Sequence, residues 1–211
     1  MKSNLLILFL LAIALTSCGN GEDALKEQTN IQTQEAIKAD NENREMWSAR
    51  LAGDLSKRRS FISAIEGEFE GQFLVKESSY MIRLMITSTI PDYEINRTRT
   101  IAELEYELQN LNLNIQIMQW NPEAQRSAVG CVLENVKPDF KKGILNLISE
   151  NCSNTYRMFL SNNDDEVNIK AESQNIANSI RDGKIDFVRS FKGILRSSTN
   201  AEIYNFSLSR N

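Results

Sequence analysis

The chain reads as mainly β with α+β character: an N-terminal amphipathic helix, then an antiparallel β-sandwich or barrel of about eight strands. Three observations predict it. Short runs of alternating apolar and polar residues recur after position 66, most clearly in Leu111-Asn112-Leu113-Asn114-Ile115-Gln116-Ile117. Turn signals punctuate them at Asn121-Pro122, Pro138-Asp139, Asn162 to Asp165 and Asp182-Gly183. Ahead of them the period is helical, with Trp47, Leu51, Leu55, Ile62 and Ile65 on one stripe.

In chain order, residues 1–17 carry Lys2, an unbroken apolar run from Leu5 to Leu15, and the small pair Thr16-Ser17 just before Cys18. That run is too short to span a bilayer, which takes roughly 20 apolar residues. Residues 18–43 are rich in Gln, Asn, Glu and Lys, with only Leu25, Ile31 and Ile37 scattered through them. They bury too little apolar surface to offset the entropy of ordering and read as a polar tether. Residues 44–65 form the amphipathic helix, weakened by Gly53.

The β-rich domain then occupies residues 66–211. Gly67 ends the helical pattern, and Phe69 and Phe73 alternate with polar residues as in a half-buried strand. Tyr80 to Ile86 is the second strand and Leu111 to Ile117 the third. Further strands are expected at Val129 to Val136, Gly143 to Ser149, Thr155 to Leu160, Val167 to Ala171, Lys184 to Leu195 and Glu202 to Ser209. Thr100 to Leu111 reads either way but leans to helix, because Thr100-Ile101-Ala102-Glu103 is a capping box and Leu104, Leu108 and Leu111 keep helical spacing. Glu172 to Arg181 reads as a second short helix.

The start of the chain resembles a bacterial lipoprotein signal peptide, with Leu15-Thr16-Ser17-Cys18 as its lipobox. That resemblance implies cleavage before Cys18, acylation of Cys18 by fatty acids such as palmitate, and attachment to the cell envelope. Gly19, in place of Asp after the cysteine, further implies sorting to the outer membrane. The β-rich domain resembles lipocalin-type barrels in its Gly67-Glu68-Phe69-Glu70-Gly71 opening and its final alternation of Tyr204, Phe206 and Leu208, and a C2-type sandwich fits the pattern as well. A barrel implies an interior able to hold an apolar ligand, a sandwich a packed core with function in its loops.

With Cys18 committed to lipid, Cys131 and Cys152 remain as one pair in an oxidising compartment and are expected to form a disulfide. The chain has no histidine, which removes the commonest metal ligand and the usual nucleophile triads. No metal site and no cofactor are expected. The net charge is −4, and loss of Lys2 with the signal makes it −5, which argues against a general polyanion-binding role and against nucleic acid as partner. Glu103, Glu105 and Glu107 are the best candidates for paired acids and Asn162 to Glu166 for a cation loop, but both read first as solvated surface. Lys57-Arg58-Arg59 is the densest basic run, able to touch anionic headgroups, and Trp120 stands where an aromatic either closes the core or faces a ligand. The resulting expectation is a non-enzymatic, lipid-anchored envelope protein that binds another envelope protein or a cell-wall component, with the membrane held through Cys18. Its alternative is a carrier or sensor of a small hydrophobic ligand in a lipocalin-like barrel.

Overall fold

A computed structural model describes residues 21–88, 99–122, 129–148, 152, 154–162, 168–198 and 201–211. Cys18 and the signal segment lie outside the described residues, as does the greater part of the Asn162 to Glu166 loop. The chain divides into two compact units, Met1–Ala49 and Arg50–Asn211.

In the first unit the described residues are helical, part of α1 (Gly21–Ile65). The described part of the tether is thus helix, a point that its low density of apolar positions leaves undecided. Its Ala, Gln, Glu and Lys are good helix formers, and the exposed pairs Lys38–Glu42 and Asp40–Arg44 sit at the i,i+4 spacing that supports a solvated helix. Residues 27–47 are all exposed. Trp47, expected on the buried stripe, is 44% exposed and is a correction to that reading. Burial along the stripe begins one turn later, at Leu51.

In the second unit the remaining turns of α1 bury Leu51, Leu55, Phe61, Ile62 and Ile65 in the core. Each such side chain contributes about 1.5–3 kcal/mol on leaving water. The strands follow as β1 (Gly67–Val75), β2 (Ser78–Ser88), β3 (Leu113–Trp120), β4 (Val129–Val136), β5 (Ile144–Leu147), β6 (Asn154–Ser161), β7 (Ser190–Ser197) and β8 (Ile203–Arg210). Between them lie α2 (Ile101–Asn110) and α3 (Ile169–Arg181). All eight strands form a single antiparallel sheet in the order β4-β3-β2-β1-β8-β7-β6-β5, curled into a nearly closed barrel. The barrel, not the sandwich, is the architecture.

Alternation sets the inner face. From β2 it takes Ile82, Leu84 and Ile86, from β3 Leu113, Ile115 and Ile117, and from β6 Tyr156, Met158 and Leu160, all buried. Rings fill the space between them: Phe69 meets Phe191 edge to face at 4.7 Å, and Tyr156 meets Phe206 at 6.4 Å. Gly193 faces Phe206 across the β7–β8 register, where any Cβ would collide with the ring. The barrel is open only between β4 and β5. There the expected disulfide is present, joining Cys131 of β4 to Cys152 with a Cα separation of 5.4 Å.

The end of α1 is latched by the penultimate residue of the chain. Arg210 donates from Nη2 to the Ala64 carbonyl (2.8 Å), from Nη1 to that of Glu66 (2.6 Å) and from Nε to that of Val188 (2.7 Å). It also lies over the Phe69 ring at 4.7 Å. The Ala64 carbonyl belongs to the last turn of α1, where the helix leaves its carbonyls without intrahelical partners, and Glu66 follows directly.

Two expected strands need correction. Of Val167 to Ala171, the described residues open α3: Asn168 is its N-cap, with a side-chain oxygen accepting from the Ala171 N–H. Glu172 then holds the backbone N–H of Asn162, which ties the helix start to the end of β6. Of Lys184 to Leu195, only the part from Ser190 is strand, because residues 184–189 instead run past the end of α1, where the Val188 N–H donates to the Ala64 carbonyl. Gly143 to Ser149 shortens to Ile144–Leu147. The Thr100 capping box is formed in full, and Glu172 to Arg181 is helical.

Candidate functional site

Phe140 lies in the turn between β4 and β5. Asp139 organises this turn, its Oδ1 accepting from the backbone N–H of Lys141 (3.1 Å) and of Lys142 (3.0 Å). Pro138 is buried beneath it, and Gly143, with φ +68°, supplies the left-handed step back into β5. Phe140 then reaches α1, meeting Phe61 edge to face at 5.4 Å while the Arg58 guanidinium covers its ring at 5.1 Å. Arg58 also donates to the Leu108 carbonyl at the end of α2 (3.4 Å).

These three segments enclose a groove of about 630 Å³. Its cations are Arg58 and Lys137, its other polar groups Glu105 and Gln109. Leu108, Leu111, Pro138 and Phe140 give it an apolar floor. Directly behind, Glu107 of α2 is 1% exposed and is held between Arg59 and Arg99. The charged groups that line the groove itself are Arg58, Lys137 and Glu105, two cations to one acid. A groove so lined can accept an anionic group at its rim and apolar atoms on its floor.

Of the three acids read first as solvated surface, Glu107 is a correction, being buried, and the acids do not converge as a pair. Glu103 closes the capping box on Thr100, Glu105 is exposed at the groove, and Glu107 is buried with its two arginines. Glu105, two residues from each of the others, faces the other side of the helix, while Glu103 and Glu107 share a face but are held by different partners. Among the described residues there is no group of three or more Asp, Glu, Cys or His side chains able to hold a metal ion. The basic run divides in the same way, with Arg58 on the groove, Arg59 committed to Glu107, and Lys57 exposed. Trp120 ends β3 on the outer face, opposite Met81, with Arg83 over its ring at 5.7 Å.

A second polar cluster lies inside the other end of the barrel. Gln119 of β3 donates to the Tyr156 hydroxyl (2.7 Å) and accepts from Asn154 Nδ2 (3.2 Å), linking β3 to β6 across strands that are not neighbours. Burial raises the Tyr156 pKa above 10.0, against smaller opposing effects of the Asn154 and Gln119 hydrogen bonds. This cluster sits within the barrel end near the disulfide, since Cys131 pairs with Ile117 in the β3–β4 register.

Sequence patterns indicated Arg58 but not Lys137, Phe140 or Gln109. No local signal marks them, because the groove exists only once α1, α2 and the β4–β5 turn are assembled. Among the described residues no helix is long and apolar enough to cross a membrane. No protein-family model, curated protein or solved structure matches this chain.

Proposed function

We propose that the protein is a lipid-anchored component of the bacterial cell envelope, held in the outer membrane through Cys18, whose β-barrel is a non-enzymatic binding module. The observation that carries this reading is Leu15-Thr16-Ser17-Cys18 at the end of the apolar run from Leu5. The Cys131–Cys152 disulfide supports it, since such bonds persist in exported proteins and are rare in reducing compartments. The polar helix after Cys18 serves as spacer, and the groove at Arg58, Lys137 and Phe140 is the face that meets another component of the envelope. A carrier of an apolar ligand would need room on the inner face, where Phe69, Phe191 and Phe206 are buried.

Two measurements on intact cells test this. Cys18→Ser should abolish labelling by a fatty-acid probe and move the protein out of the outer-membrane fraction on a density gradient. Continued labelling would refute anchoring. A photo-crosslinking residue at Gln109, at the groove, should capture an envelope component that the same residue at Lys170 on α3 does not. Equal capture from both positions would refute the groove as binding face.

A further inference from the structure

The groove is one corner of a larger basic surface on an otherwise acidic protein. Helical geometry places Lys57 and Arg58 four and three residues before Phe61, over the turn that Phe61 anchors against Phe140. On the other side of that aromatic contact, the β4–β5 turn presents Lys137, Lys141 and Lys142, all exposed. Five cations thus gather around the Phe61–Phe140 contact in a chain whose net charge is −4. Three acids lie nearby: Asp54, one turn of α1 before Lys57 and Arg58; Glu105 across the groove; and Asp139, whose Oδ1 is held by its own turn and whose Oδ2 lies 3.6 Å from Lys142 Nζ.

We infer that this surface binds the headgroups of an anionic phospholipid bilayer, with the groove between Arg58 and Lys137 receiving one headgroup phosphate. Four of the five cations are lysines with exposed side chains, and among the described residues only Arg58 of the five donates to a backbone carbonyl. Flexible point charges suit a diffuse anionic surface better than a ligand of fixed shape, for which arginine forks are the usual device. The attraction is short in range and weakened by salt, so it matters for a protein already kept close to a bilayer. In that respect the inference rests on the lipid-anchored reading, since acylation at Cys18 supplies the proximity.

The test removes acylation from the question. Mature-length protein carrying Cys18→Ser is mixed with vesicles of phosphatidylcholine, or of phosphatidylcholine with phosphatidylglycerol, and sedimented. It should bind the anionic vesicles only, and binding should fall as salt is raised. Lys137→Ser, Lys141→Ser and Lys142→Ser combined should weaken binding on the order of 100-fold, about fivefold for each charge removed. Lys170→Ser, Lys184→Ser and Arg196→Ser combined, three exposed cations elsewhere, should bind within about twofold of the parent, because charges beyond a Debye length are screened. Matching thermal melts would show that both triples fold. Equal binding to both vesicle types, or equal loss in both triples, overturns the inference. So does binding of soluble poly-glutamate through the 137–142 lysines without binding of vesicles, which would make the surface a protein-binding one. Loss of fatty-acid labelling at Cys18 is read in cells and is independent of every one of these outcomes.

Discussion

Arg210→Ala is the substitution whose effect the structure fixes most closely. It removes three charge-assisted hydrogen bonds to carbonyls, those of Ala64, Glu66 and Val188, together with the contact over Phe69. Hydrogen bonds to a charged group contribute about 1.5–3 kcal/mol each, so their gross sum is about 4.5–9 kcal/mol. Two effects reduce it. The charge loses some hydration on folding, which lowers the guanidinium pKa from its ordinary value, and ordering an arginine side chain costs up to about 2 kcal/mol. Arg210 is only half-buried, which also lets water reach the vacated carbonyls. The net loss should be about 2–4 kcal/mol, or roughly 4–16 °C in Tm at the 2–4 °C per kcal/mol typical of a domain this size. Arg210→Lys should recover less than half of that, because an ammonium is one point of donation and cannot span three carbonyls. Urea unfolding followed by tryptophan fluorescence and by circular dichroism would measure both. A Tm for Arg210→Ala within about 1 °C of the parent, well short of the 2–4 °C expected per kcal/mol, or full rescue by lysine, would refute the account.

Three further outcomes follow from other contacts. Replacing Cys131 and Cys152 together by alanine should cost about 3 kcal/mol in urea unfolding, as expected for a separation of 21 residues, while fatty-acid labelling of Cys18 stays unchanged. Glu107→Ala should lower stability by about 3–5 kcal/mol, since it leaves Arg59 and Arg99 facing each other without their shared carboxylate; a loss below 1 kcal/mol would mean that water replaces it. Tyr156 has a folded pKa raised above its unfolded 10.0, so its contribution is complete below pH 10.0 and is lost as pH climbs through the raised value. Tyr156→Phe should be about 1–3 kcal/mol less stable at neutral pH, where it leaves Gln119 without its acceptor, and its urea midpoint should fall less steeply in alkali than the parent's.

What could be read from the sequence was whatever depended on near neighbours. Leu113, Ile115 and Ile117 alternate because one face of β3 is buried, and that alternation survives in any register. Thr100 and Glu103 cap α2 by contacts three residues apart. Parity and compartment sufficed for Cys131–Cys152. The misreadings came where tertiary contacts overrode a local pattern. Ile169 and Ala171 sit beside polar residues in a way that mimics a strand, yet the Asn168 cap commits them to α3. Ile185 and Val188 are apolar because they pack on the core near α1, not because they belong to β7. Trp47 matched a helical stripe whose burial begins only at Leu51. The groove was illegible for a related reason: its walls come from positions near 58, 108 and 137, and nothing in any one of them announces the other two.

The strand order β4-β3-β2-β1-β8-β7-β6-β5 also bears on how the molecule comes into being. Strands β1 to β4 form one run of sequential neighbours and β5 to β8 another, so most pairing is local and each run can zip from its own hairpins. The junction between them is the opposite case. It joins the first strand to the last, through pairs such as Phe69 with Arg210, and encloses nearly the whole domain in one loop. A chain emerging from its N-terminus, at a ribosome or a translocation pore, holds β1 with an unsatisfied edge until the final strand arrives. Joining of the two runs into one sheet is then a single late event. Because Arg210 lies on that strand, the same event latches α1, so completion of the sheet and capping of the helix are one step in time.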